Sequence, residues 1–186
     1  MKKHNGMRPQ DILILAQLTL EKNNLSQQST VPLLSKIPQN KTLATLLKIS
    51  EAEVSESLRR SEYAGLLADL NLKSINKKAF LDFIMHGLPY VFPARPGALV
   101  RGVPTAQSAP PLSNSLISEE QYVWEYADGT VRGQRIEPLY PTVPEIAQQN
   151  PALYEVLSLI DAIRTGSPRT IRLASQELEK RIISHA

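Results

Sequence analysis

Apolar positions recur at helical spacing from the start of the chain. Ile12, Leu13, Leu15, Ala16 and Leu20 form a broad stripe behind Pro9, a residue that the first turn of a helix tolerates. The pattern predicts a helix over about Pro9 to Lys22. The segment from Asn23 to Asn40 is polar and interrupted by Pro32 and Pro38, so it reads as a connection pinned to a core by Val31, Leu33, Leu34 and Ile37. Residues 41–67, KTLATLLKISEAEVSESLRRSEYAGLL, then carry two helical stripes with a break between them. Leu43, Ala44 and Leu47 share one face, the period fails at Lys48 to Ser50, and Val54 and Leu58 resume it. Ser50 and Glu53 make an S-x-x-E capping box, in which the hydroxyl accepts from the amide three residues on and the carboxylate reaches back to the amide of Ser50. A helix that starts about three residues after another ends must cross it steeply, which is the helix-turn-helix geometry. Lys48 stands where such a turn often has glycine, so the turn either avoids the left-handed conformation or tolerates it there. Ser61 takes an inward position that would suit a large apolar residue, which predicts looser packing or a compensating contact from Tyr63.

Gly65 ends the second helix, and the span to Lys77 leaves room only for a small two-stranded wing. Asn76 caps another amphipathic helix, NKKAFLDFIMHG, whose Phe80, Leu81, Ile84 and Met85 face a core and which Gly87 terminates. Residues 88–114 are rich in Pro, Gly and Ala yet hold Tyr90, Val91, Phe92, Leu99 and Val100, predicting an ordered, irregular segment with one or two short strands. Two strand-like runs flank Asp128 and Gly129, a local signal for a β-hairpin packed through Trp124, Tyr126 and Val131. In the tail, Pro144 to Gln149 reads as one turn, and Asn150 with Pro151 opens a helix bearing Leu153, Val156, Leu157, Ile160 and Ile163. Gly166 stops that helix, and Ile171, Ala174, Leu178 and Ile182 mark a last one. This αα-hairpin offers a face that is either core or a dimer contact. The expected class is mainly α within α+β. Residues 1–87 would form a winged helix-turn-helix, 88–143 a Pro/Gly-rich segment with a β-hairpin, and 144–186 a helical hairpin open to dimerisation or partner contact.

Composition narrows the chemistry. An apolar fraction of 42% over 186 residues is enough for one ordinary domain or two small ones. The absence of cysteine excludes disulfides, thiolate zinc sites and a cysteine nucleophile. His4, His86 and His185 are too far apart in sequence to form a ligand motif, and no phosphate-binding glycine loop, serine elbow or paired-carboxylate motif is present. Neither an enzyme nor a bound metal or cofactor is expected. Lys2 and Lys3 precede an apolar run as in a signal peptide, but Asp11, Gln17 and Thr19 interrupt it and it is too short to span a bilayer. The expectation is a cytoplasmic protein without membrane contact. The net charge of +3 is unevenly spread: Lys and Arg exceed Asp and Glu by 12 to 7 in residues 1–78 and fall short by 9 to 11 in the rest. The basic excess lies in the half that holds the helix-turn-helix, as an electrostatic footprint on phosphates requires.

The residues KTLATLLKISEAEVSESLRRSEYAGLL resemble the MarR-like and related winged-helix transcriptional regulators of bacteria, most clearly over residues 9–87. Longer stretches, INKKAFLDFIMHGLPYVFPARPGALVRGVPTAQSAPPL and EPLYPTVPEIAQQNPALYEVLSLIDAIRTG, are similar to an uncharacterised subgroup described as MarR-like. The second half does not resemble the usual MarR dimerisation helices. The resemblance implies a regulator architecture, and the helix-turn-helix itself points to a DNA-binding regulator, a repressor, acting as a homodimer on a palindromic site in double-stranded DNA, since symmetry doubles the modest specificity of one recognition helix. The helix at about 51–64 would enter the major groove, with Ser55 and Arg59 near bases, Ser50 at its start and Arg60 on phosphate. Lys41 and Lys48 beside the turn, and Lys73, Lys77 and Lys78 near the wing, would add phosphate contacts. Glu51, Glu53 and Glu56 oppose this reading, although acids also favour a helix N-terminus for its own sake. They support an alternative: an antitoxin or other protein-interaction module built on a winged-helix fold.

Overall fold

A computed structural model describes residues 6–26, 37–116 and 120–183. Much of the connection expected over 23–40, including Val31, Pro32, Leu33 and Leu34, lies outside the described residues, as do His4 and His185. The architecture mixes α and β, with helices dominant. The chain opens on α1 (Pro9–Ser26), α2 (Asn40–Leu47) and α3 (Glu51–Tyr63), followed by a two-stranded antiparallel hairpin of β1 (Leu67–Asp69) and β2 (Ser74–Ile75). Three residues join α2 to α3. Lys48 adopts the left-handed conformation there (φ 53°, ψ 43°), so the turn tolerates at lysine what glycine adopts more readily. Ser50 caps α3 by accepting from the Glu53 amide at 3.2 Å. The reciprocal half of the capping box is not made: the Glu53 carboxylate instead accepts from Gln10 and Arg60.

Asn76 caps α4 (Lys77–Asp82), accepting from the Ala79 amide. The helix does not stop at Gly87 as expected. It widens into a π turn over Phe83–Gly87 and continues as α5 (Leu88–Val91). Glycine ends a helix when it turns left-handed, but Gly87 stays right-handed (φ −107°, ψ −44°). Its missing Cβ serves packing instead, because that atom would lie 2.8 Å from the Phe83 ring.

The second sheet corrects the hairpin expected around Asp128 and Gly129. β3 (Leu99–Pro104) pairs antiparallel with both β4 (Tyr122–Glu125) and β5 (Val131–Arg135), while β4 and β5 run parallel and close a three-stranded barrel. Gly102 stands opposite Glu125 on one side and Val131 on the other, so residues 126–130 carry the chain across β3 at that point. A Cβ on Gly129 would meet the Gly102 backbone at 2.3 Å, and one on Gly102 would meet the Trp124 carbonyl oxygen at 1.9 Å. The crossing therefore depends on two glycines in contact, a long-range condition that the local turn signal does not contain.

α6 (Val143–Gln149), α7 (Pro151–Thr165) and α8 (Pro168–Ile183) complete the chain. Asn150 caps α7 through the Leu153 amide. The stripe of α8, seen as Thr170, Ala174, Leu178 and Ile182, is buried within the chain and packs chiefly on α7 and α4. It is core rather than an open dimer face. Every residue of α7 from Val156 to Ile163 is buried, and one hydrophobic cluster runs from Ile12 to Ile182 through all three expected segments. The segments thus share a core instead of forming separate domains. α1 is enclosed likewise: Asp11 to Thr19 are all buried, between α3 and α2 on one side and α7 and α8 on the other. A buried carboxylate ties the barrel to α7. Asp161 accepts from Trp124 Nε1 at 2.6 Å, Thr105 Oγ1 at 3.0 Å and Arg164 Nη1 at 2.6 Å. Burial pushes its carboxyl up, while Arg164 and the two neutral donors oppose that shift.

Candidate nucleic-acid interface

α3 has two faces with different duties. Val54, Ser57, Leu58 and Ser61 are buried on the inward side, and α3 packs there against α1, α2 and β1. Ser61 is wholly buried and Tyr63 is 76% exposed, so Tyr63 does not supply the expected inward contact. The outward side presents Glu51, Ala52, Arg59 and Glu62 to solvent, with Ser55 and Glu56 half-buried.

The structure redistributes the expected cationic residues. Arg60 is not on the surface. Its side chain is 8% exposed and forks onto the fully buried Asp11, donating from Nε at 2.9 Å and Nη2 at 2.6 Å, with a further bond to Glu53 at 2.5 Å. The Asp11 hydrogen bonds, outweighing burial, hold the guanidinium well above its usual pKa. Burial works against the Glu53 carboxylate, but hydrogen bonds from Arg60 and Gln10 prevail and hold it below the usual range. The assignment of Arg60 to phosphate is therefore corrected: it locks α3 to α1.

Lys73 is buried, and its ammonium donates to the Pro38 carbonyl; burial lowers its pKa. It anchors the hairpin turn instead of projecting from it. The same turn is held by Lys22 donating to the Leu72 carbonyl and by Glu62 accepting from the Leu70 amide. Lys77 is half-buried and donates to Asn23 Oδ1 at 2.8 Å, and Lys48 pairs with Glu145 of α6. Both are engaged within the fold, the second in an exposed and breakable way.

What remains at the surface is a shorter set. Lys41, Ser50, Arg59 and Lys78 are exposed. Arg59 makes an intrahelical pair with Glu56 at 2.6 Å. Ser55 donates to the Glu51 carbonyl, accepts from Asn40 Nδ2 at 2.9 Å, and lines a cleft of about 140 Å³ with Asn40, Leu58, Arg59, Leu70 and Lys73. Lys41, Ser50, Ser55 and Arg59 belong to α2, the turn and α3; Lys78 lies on α4, which packs on α8. Leu46 and Tyr63 are exposed large apolar groups on α2 and α3, and sequence reasoning does not place them outward. The signal for Tyr63 is its position at the helix end, where an inward stripe has already run out.

The α2 to α3 turn is itself clamped from the far end of the chain. Thr142 Oγ1 donates to the Leu47 carbonyl at 2.8 Å, and Glu145 pairs with Lys48. Two groups just ahead of and within α6 thus satisfy the C-terminal end of α2. No known protein family, curated protein or solved structure matches the chain. No group of His, Asp and Glu that could hold a metal ion occurs among the described residues, and no helix there is long and apolar enough to cross a membrane.

Proposed function

We propose that residues 1–87 are a winged helix-turn-helix that binds double-stranded DNA, with α3 as recognition helix and β1–β2 as a short wing, and that the protein is a transcriptional regulator of the MarR-like kind. The observation that carries this reading is the division of labour on α3. Its inner side is fixed to α1 by buried apolar groups and the Asp11–Arg60 pair, a three-residue turn sets its angle to α2, and its outer side is free for a groove. Ser55 and Arg59 are the base-facing pair on that side, and Lys41 and Ser50 flank it for phosphate contact. Homodimerisation on a palindromic site would double the specificity that one recognition helix provides.

A second reading is favoured by charge. With Arg60, Lys73 and Lys77 engaged internally, the exposed part of α3 carries Glu51 and Glu62 with half-buried Glu56 against Arg59. Such a face, with Tyr63 at its end, would also suit a basic protein partner, as in an antitoxin.

A salt titration of binding to the chain's own upstream DNA and to random duplex distinguishes the two. Lys41→Ala with Arg59→Ala should reduce the slope of log affinity against log salt by about 0.9, for the one phosphate that Lys41 no longer neutralises, and remove preference for the upstream site through the loss of Arg59. Equal binding by wild type and variant would move the interface away from α3.

A further inference from the structure

The barrel carries a charge arrangement that the fold does not use. In the β3–β5 register, Arg101 stands directly opposite Arg132, and Leu99 opposite Gln134. Cross-strand partners share a face, and residues two apart along a strand return to it, so these four side chains project from one side of the ribbon. Arg101 and Arg132 are exposed, and Leu99 is 62% exposed. Like charges directly opposite one another disfavour the pairing that brings them together. Neither arginine makes an ion pair among the described residues. The acids of the same barrel do not compensate: Glu125 and Glu137 are both taken by Arg135, at 3.2 and 2.7 Å, and Asp128 in the crossing loop pairs with neither. The register is held by the glycine crossing at Gly102 and Gly129, so the two guanidiniums cannot separate by a slip of the strands.

We infer that this face of the barrel is a second nucleic-acid contact, in which Arg101 and Arg132 bind the phosphate backbone of duplex DNA. Two adjacent guanidiniums match a ligand whose negative charges are dense and regularly spaced. A duplex presents one charge per ~1.7 Å of axis, whereas carboxylates on a peptide are sparser and flexible. Forked donors on an exposed strand face suit phosphate oxygens without reading sequence. The choice of DNA as partner rests on the proposed role of α3; the site does not.

The test is a salt titration on a random 20-bp duplex, comparing wild type, Arg101→Gln with Arg132→Gln, and Lys41→Ala with Arg59→Ala. Without the two barrel guanidiniums the salt slope should fall by about 1.8, and binding should weaken on the order of tenfold at low salt. Trp124 emission should be unchanged, and the melting temperature no lower than wild type because the repulsion is gone. An unchanged slope in the barrel variant with a reduced one in the α3 variant overturns the barrel site and leaves the recognition helix standing. The reverse pattern supports the barrel site and overturns the role of α3. Failure of the wild type to bind duplex at low salt overturns both. Binding of polyglutamate as tight as that of duplex, and abolished in the barrel variant, would make the partner an acidic protein and overturn the nucleic-acid assignment.

Discussion

Replacing Arg60 by alanine separates a structural arginine from a DNA-contacting one. The substitution leaves the fully buried Asp11 carboxylate with the Arg8 amide, at 2.8 Å, as its remaining donor among the described residues. Removing one partner of a buried ion pair typically costs about 3–5 kcal/mol, because the other charge stays desolvated. Glu53 is about a quarter exposed and can recover water, so the loss concentrates on Asp11 and should fall near the lower end, about 3 kcal/mol. With a urea dependence of about 2 kcal/mol per molar, the unfolding midpoint should drop by roughly 1.5 M. The melting temperature should fall by roughly 6–12 °C for a chain of this size. Combining Asp11→Asn with Arg60→Met should recover most of the loss, since exchanging both charges for neutral groups is often close to neutral. Far-ultraviolet circular dichroism in urea measures all three forms. If Arg60→Ala stayed within about 0.5 kcal/mol of wild type yet lost DNA affinity, Arg60 would be a surface ligand and its buried fork wrong.

Two further outcomes concern the same region. Glu53 has a depressed pKa, so its contribution to stability is full above the unfolded carboxylate value of 4.5 and is lost as pH falls through the lower folded value. Urea midpoints measured downward from about pH 5 should therefore decline, and Glu53→Gln should flatten the decline; an identical pH profile in the variant would deny Glu53 that role. Lys48→Gly should stabilise by a few tenths to about 1 kcal/mol, because relief of the left-handed backbone exceeds the loss of an exposed pair with Glu145. Calorimetry that showed a loss of about 1 kcal/mol or more would mean that the Lys48–Glu145 pair matters beyond an ordinary surface ion pair.

What the sequence discloses and what it hides follow from distance along the chain. Ser50, Asn76 and Asn150 cap their helices as their local patterns imply, because a cap and its amide lie three residues apart. The stripes of α2, α3 and α7 are legible for the same reason. Arg60 is different: its partner Asp11 is 49 residues away, and a guanidinium beside a basic neighbour looks like any surface cation until α1 is laid against α3. Lys73 and Lys77 are misread in the same manner, because their partners lie at Pro38 and Asn23. The turn chemistry at Asp128 and Gly129 is real, but whether such a turn folds back or crosses over is decided by Gly102, which the local window excludes. The arginine pair at 101 and 132 is invisible for a related cause, since register is a property of two strands and not of either one.

The enclosure of α1 bears on how such a chain can change over generations. Many proteins are assembled from separately folded units that can be exchanged like interchangeable parts. Here a cut after Gly87 would lay bare the side of α1 that rests on α7 and α8 and would strip Thr142 and Glu145 from the turn before α3. That cut offers no seam at which recombination could splice on a new unit without also rebuilding the floor beneath α3. The two halves are bound to vary together, and a force that tilts α6 or α7 reaches α3 through the clamped turn at Leu47 and Lys48 and through the buried α1.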